Sequence, residues 1–142
     1  MIKAVLDTNV LVSAFLSPSG NASLILNKAL DVKLLFFYSI PIFTEYEDVL
    51  FRPDFRFDKA RVRFELDTLA EIGILESPPI SDVSLPDKSD RKFFDLARFI
   101  GAFLVTGNQK HFPRESFIIT PAVMAQQLTN DSGGLVENCP LR

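Results

Sequence analysis

Three short apolar runs rich in Val, Ile and aromatic residues, at Ile2 to Leu6, Leu34 to Tyr38 and Phe103 to Thr106, are separated by stretches with helical spacing. That alternation is the tightest constraint on the fold. Strands of about five residues alternating with helices of about ten imply βαβ units, right-handed crossovers and a mostly parallel sheet. Phe117 to Ile119 predicts a fourth strand.

Local signals set the helix limits. Val10 to Leu16 reads as a helix broken by Ser17-Pro-Ser-Gly, and Asn21 to Leu30 as a second with Leu24, Ile25 and Ala29 inward. Ser39 and Pro41 supply a start for Ile42 to Phe51, which ends at Arg52-Pro53. Another helix runs from near Asp58 to Ile72, stopped by Gly73, and another from about Lys88 to Ile100, stopped by Gly101. Ser77 to Pro86 reads as loop and Ala122 to Leu128 as a last helix. Residues 1–128 therefore predict one domain, and 129–142 a polar, flexible tail.

Composition then removes whole classes of chemistry. A single cysteine, Cys139, excludes a disulfide framework and Cys-based metal sites, and a single histidine, His111, excludes His-rich zinc sites. A net charge of −3 speaks against a strongly basic nucleic-acid module, while leaving room for a local basic groove. No apolar run reaches the roughly 20 residues needed to span a bilayer, and the start lacks a signal-peptide layout, so a cytosolic protein without membrane contact is expected. Oxygen-ligand chemistry remains.

In an open parallel sheet, ligands sit beyond the carboxyl ends of the strands, which singles out Asp7 after the first strand and Asn108 after the Phe103 strand. On the helix from Ile42, the apolar stripe of Ile42, Phe43, Tyr46, Val49 and Leu50 is flanked by Glu45 on one side and Glu47 on the other, with Asp48 pointing away. Periodicity does not choose between the two glutamates. On the next acidic helix, Asp90 lies near the middle of the stripe of Phe93, Phe94, Ala97 and Ile100, and Asp95 falls on the solvent side. An inward carboxylate must be paired, protonated or bound to a cation.

Each acid has an ordinary explanation when taken alone. Asp87 and Asp90 fit a capping pair, Asp7 fits a cap on the following helix, and Glu45 fits an exposed helix residue. Their joint occurrence on three separated segments shifts the balance toward a hard-cation site for Mg²⁺ or Mn²⁺. Such an ion can activate water for in-line attack on a phosphodiester, with the carboxylates as ligands first and general bases second.

Four blocks carry a family resemblance: Val5 to Phe15 (VLDTNVLVSAF), Glu45 to Phe55 (EYEDVLFRPDF), Pro86 to Ala97 (PDKSDRKFFDLA) and Leu104 to Pro113 (LVTGNQKHFP). Over residues 2 to 128 the chain resembles PIN-domain proteins of the VapC-like branch, toxin components of toxin–antitoxin systems. The resemblance implies a three-layer α/β/α fold with a central, mostly parallel sheet flanked by helices. It implies Asp7, Glu45 and Asp90 as metal ligands and catalytic residues, and so resolves the tie in favour of Glu45. Asp87 is a secondary candidate. Many relatives carry aspartate at the place of Asn108, so this chain is expected to hold one ion tightly, with Asn108 acting through its oxygen, through water or on the scissile phosphate. A homodimer, divalent-metal-dependent endoribonuclease activity and inhibition by a cognate antitoxin are further implications.

If RNA is the substrate, Arg91, Lys92, Lys110 and Arg114 are the candidates for phosphate contact, although each also reads as ordinary solvated charge. Phe51, Phe55 and Phe57 interleave with Arg52 and Arg56, a pattern that could stack on single-stranded bases. The favoured reading of that segment is a hydrophobic dimer or antitoxin surface. Two other functions compete: a catalytically weak or inactive PIN-fold binding module, motivated by Asn108, and a small nucleotide-binding protein. No Gly-rich loop follows the first strand, which disfavours the second.

Overall fold

The computed structural model describes residues 1–130. Cys139 and all but two residues of the expected tail lie outside the described residues, and Thr129 and Asn130 instead extend the last helix. The strands are β1 (Lys3–Leu6), β2 (Leu35–Tyr38), β3 (Ile74–Leu75), β4 (Phe103–Val105) and β5 (Ile118–Ile119). The helices are α1 (Thr8–Leu16), α2 (Asn21–Leu30), α3 (Ile40–Leu50), α4 (Lys59–Ile72), α5 (Arg91–Ile100) and α6 (Pro121–Asn130). Short 3₁₀ turns at Pro53–Phe55, Lys88–Asp90 and Gln109–His111 join them.

All the strand pairings are parallel, in the order β3-β2-β1-β4-β5, giving the α/β sheet flanked by helices that the alternation predicts. At the centre, Ala4, Val5 and Leu6 of β1 are fully buried, which is why this strand reads as a continuous apolar run without polar alternation. Helix α5 packs on β1 and β4, while α2 packs against α1, α4 and α6. Buried Phe36, Phe93, Phe94 and Phe117 absorb much of the phenylalanine content, each contributing roughly 1.5–3 kcal/mol by leaving water.

The helix ends follow their chemistry. Ser39 Oγ accepts from Ile42 N–H, and Asp58 caps α4 by accepting from Ala60 and Arg61 N–H. Gly101 ends α5 in the left-handed region at φ 70°. Gly73 has an ordinary φ of −77°, so its role is steric: a Cβ there would lie 2.7 Å from Phe36 Cδ2 and 2.7 Å from the Leu69 carbonyl.

Four details depart from the sequence reading. Leu24 is at the exposed edge of α2, where Ala22, Ile25, Leu26 and Ala29 fill the buried face. The segment 88–100 divides into a 3₁₀ turn and α5, because Asp87 caps the turn through Ser89 N–H. Strand β3 is too short to show a period, and pairing with β2 creates it. Asp95, expected toward solvent, is buried: the 77–86 loop folds over it and Ser81 N–H donates to its Oδ2 at 3.2 Å. No single helix among the described residues is long and apolar enough to cross a membrane.

Candidate active site

Strand order reverses on either side of β1, so the carboxyl ends of β1 and β4 open a crevice where an open parallel sheet binds ligands. Asp7 leaves β1 there, with its N–H donating to the Val105 carbonyl at 2.9 Å. Although Asp7 stands at the N-cap of α1, its carboxylate makes no capping bond. Instead, Oδ2 accepts from Thr106 Oγ at 2.8 Å and from Asn9 Nδ2 at 3.2 Å. Thr106 Oγ in turn accepts from Asn108 N–H at 3.0 Å, which makes a relay from the β4 end to Asp7.

Helix α3 is pinned beside this strand end by the buried Tyr46, whose hydroxyl donates to the Leu6 carbonyl at 2.5 Å. Burial and the nearby Asp7 and Glu45 push the Tyr46 hydroxyl well above its usual range, so it remains a donor. The preceding residue, Glu45, therefore reaches the crevice, where Thr8 Oγ donates to Oε2 and Lys92 Nζ lies 2.8 Å from Oε1. Glu47 turns the other way and pairs with Arg63 at 3.0 Å.

Asp90 arrives from the 3₁₀ turn before α5. His111 Nδ1 lies 3.3 Å from its Oδ2, yet that buried oxygen has no hydrogen-bond partner. Asp7, Glu45, Asp87, Asp90, Asn108 and His111 all line one open cleft of about 350 Å³, with Phe55 at its side. Burial, with repulsion from Asp90 and Glu45, raises Asp7 to about 6 against the opposing Thr106 bond. Burial and then Asp87 raise Asp90 above the usual carboxylate range. The exposed Asp87 goes down, held ionised by Ser89.

Does this cleft suit a divalent cation? Among the described residues no three acid or imidazole groups already form a finished cage, and Glu45 is taken up by Lys92 and Thr8. The donor set nevertheless fits: all the carboxylate donors are hard oxygens, Asp90 Oδ2 is buried and accepts no hydrogen bond, and Asp7 is buried with its ionised form penalised. Asp7, Glu45 and Asp90 are the residues that would hold the ion.

Residues 3–110 match the PIN domain family. This chain belongs to that family. PIN domains are generally nuclease folds and usually use divalent metal ions. Among proteins, the chain is 27% identical over 111 residues to the uncharacterized protein MJ1680 of Methanocaldococcus jannaschii, covering 76% of this chain and 72% of that one. Among solved structures it resembles PAE2754 from Pyrobaculum aerophilum, with a TM-score of 0.56 and 14% identity over 91% of this chain and 90% of that chain. That likeness bears on the fold alone.

Within the PIN domain, the sequence-predicted residues are distributed unevenly. Asp7, Glu45, Asp87, Asp90 and Asn108 meet in the cleft, and Lys92 reaches Glu45. Arg91 commits its guanidinium to the 77–86 loop, donating to the Ser81 and Val83 carbonyls at 2.5 and 2.6 Å. Lys110 and Arg114 line a separate cavity of about 720 Å³ beside β5. Sequence reasoning missed Thr8, Thr106 and the pairing of His111 with Asp90. The signal available for the first two was a hydroxyl beside each strand-end polar residue, Thr8 after Asp7 and Thr106 before Asn108.

Proposed function

We propose that this PIN domain is a divalent-metal-dependent endoribonuclease, the toxin of a toxin–antitoxin pair. The observation that carries the reading is the convergence of Asp7, Glu45 and Asp90 in one open cleft, with a buried oxygen on Asp90 that accepts no hydrogen bond. Mg²⁺ or Mn²⁺ would supply charge stabilisation on the phosphodiester and activation of water when bound. The chain's own residues prepare that chemistry. Thr106 and Asn9 fix the Asp7 carboxylate, and Tyr46 and Thr8 fix Glu45 against the end of β1. Lys92, paired with Glu45 at 2.8 Å, would exchange that bond for a phosphate oxygen. In the overall step, water adds its oxygen to phosphorus, the bond to the leaving ribose oxygen breaks, and that oxygen takes up a proton.

The homodimer and the cognate antitoxin belong to the same proposal and rest on the resemblance of the four sequence blocks. A second reading, a catalytically weak or inactive PIN-fold module, is favoured by two observations. Position 108 is an amide where the family resemblance implies an acid in many relatives, and Lys92 already pairs with Glu45.

One experiment separates these readings. Mn²⁺ and Mg²⁺ binding is measured by calorimetry on the wild type and on Asp90→Asn, beside cleavage of a panel of structured RNAs with and without metal. Metal-dependent cutting abolished in the variant, with the fold retained, is the expected result. Metal binding without cutting favours the inactive module, and parental cutting by Asp90→Asn rejects this site.

A further inference from the structure

The aromatic segment after α3 splits into two kinds of residue. Among the described residues, Phe51, Phe55 and Phe57 are all half-buried, but only Phe51 and Phe57 pack directly against the hydrophobic core. Phe55 instead lines the carboxylate cleft, together with Asp7, Glu45 and Asp90. Its ring is braced by a neighbour: Phe57 lies parallel to it, with centroids 5.1 Å apart and 1° between planes. Phe57 is held in turn by Phe15 of α1 at 5.3 Å. Offset stacking of this kind fixes ring orientation before any ligand arrives.

Backbone geometry keeps Phe55 in place. Pro53 starts the 3₁₀ turn that ends at Phe55, and Arg56 follows in the left-handed region at φ 54°, an uncommon conformation for a residue with a side chain. The turn thereby carries Phe55 to the cleft while sending the exposed Arg56 outward and Phe57 back to the core. A flat, pre-oriented apolar ring beside acids that handle a phosphodiester suits one ligand group above others, a nucleobase of the same strand.

We propose that Phe55 is a base-stacking platform, holding one unpaired base of single-stranded RNA adjacent to the scissile phosphate. This inference rests on the nuclease reading of the cleft. Stacking on an aromatic ring tolerates all four bases, so Phe55 positions the strand and selects for unpaired RNA without reading its sequence. Phe55 serves as a positioning residue, and its loss acts on substrate affinity more than on the chemical step.

The test uses short single-stranded RNAs cut at a defined bond, each with one abasic nucleotide placed in turn at the positions flanking that bond. For the wild type, one abasic position is expected to raise KM about tenfold, within the range of a single base–aromatic stack. Phe55→Leu should raise KM for intact RNA by a similar factor with kcat little changed, and the same abasic nucleotide should cost this variant nothing further. Phe55→Trp should restore the wild-type KM. Thermal unfolding is followed in parallel; if Phe55→Leu does not fold, the abasic scan on the wild type and Phe55→Trp decides the matter. A wild type that cuts RNA but responds to no abasic position, or a Phe55→Leu with parental KM, overturns the platform and leaves the nuclease reading intact. A wild type that neither binds nor cuts RNA overturns both.

Discussion

Burial of Asp7 carries a cost in stability that one substitution can expose. Its carboxyl is buried at the end of the central strand and raised from 3.8 to about 6, mainly by burial. The folded state therefore holds the proton more tightly than the unfolded chain does. The stabilisation from that proton is complete below about pH 4 and is lost as pH rises through about 6. A rise of about two units is about 3 kcal/mol of penalty on the ionised form in the metal-free protein. Asp7→Asn removes the charge and gives back about 1 kcal/mol where the amide NH₂ replaces an acceptor oxygen. The variant should then be more stable than the wild type by about 2 kcal/mol near pH 7.5 in chelator. At roughly 3 °C per kcal/mol for a chain of this size, that is a Tm higher by about 6 °C. Near pH 4.5 only about 1 kcal/mol of the penalty remains, so the gain should vanish. Saturating Mn²⁺ should reverse the order, adding about 2.7 kcal/mol to the wild type at a hundredfold excess over Kd and little to the variant. Urea or thermal unfolding with and without Mn²⁺ reads all of this. A variant no more stable than the wild type in chelator near pH 7.5, or a gain that ignores pH, refutes the reasoning.

Two further outcomes follow from neighbouring contacts. Lys92→Met frees Glu45 from a cation 2.8 Å away, so Mn²⁺ affinity by calorimetry should rise about fivefold, the equivalent of an ion pair worth about 1 kcal/mol; an unchanged or weaker affinity would argue that Lys92 does not compete with the metal. Tyr46→Phe leaves the buried Leu6 carbonyl without this donor and should cost about 1–2 kcal/mol in urea unfolding, and a variant as stable as the wild type would show that this hydrogen bond does not anchor α3.

How much of this was legible beforehand depends on which neighbours decide each feature. The strand–helix alternation and the strand-end rule led to the parallel sheet and to Asp7, because both depend on local pattern and on a general property of parallel sheets. Glu45 and Glu47 were indistinguishable, since periodicity measures only angular distance from the buried stripe. What separates them is that Thr8 and Lys92 lie on one side of α3 and Arg63 of α4 on the other. Asp95 was misread for a related reason. A helical wheel knows the sheet but not the aperiodic 77–86 loop that folds over the other face and offers Ser81 N–H. Which phenylalanine reaches the cleft was equally hidden, because three phenylalanines spaced along one segment look alike until Phe51 and Phe57 pack against the core.

The charges in the cleft explain why its acids are not all equivalent. Glu45 is satisfied by Lys92 and Thr8, and Asp87 is exposed and held ionised by the turn that it caps. The uncompensated cost falls on Asp7 and Asp90, the two carboxyls raised by burial. Asp7 has no easy retreat to solvent, because the relay from Asn108 N–H through Thr106 Oγ holds it at the strand end. Carboxyls perturbed by burial and neighbouring charge in this way are enriched at functional sites. Asn108 bears on the same balance: another acid at this place would add charge to a cleft where Asp7 and Asp90 already repel, while a neutral amide spares the metal-free fold that cost. With an amide at this place, Asp7 and Asp90 remain the pair of cleft carboxyls that burial raises.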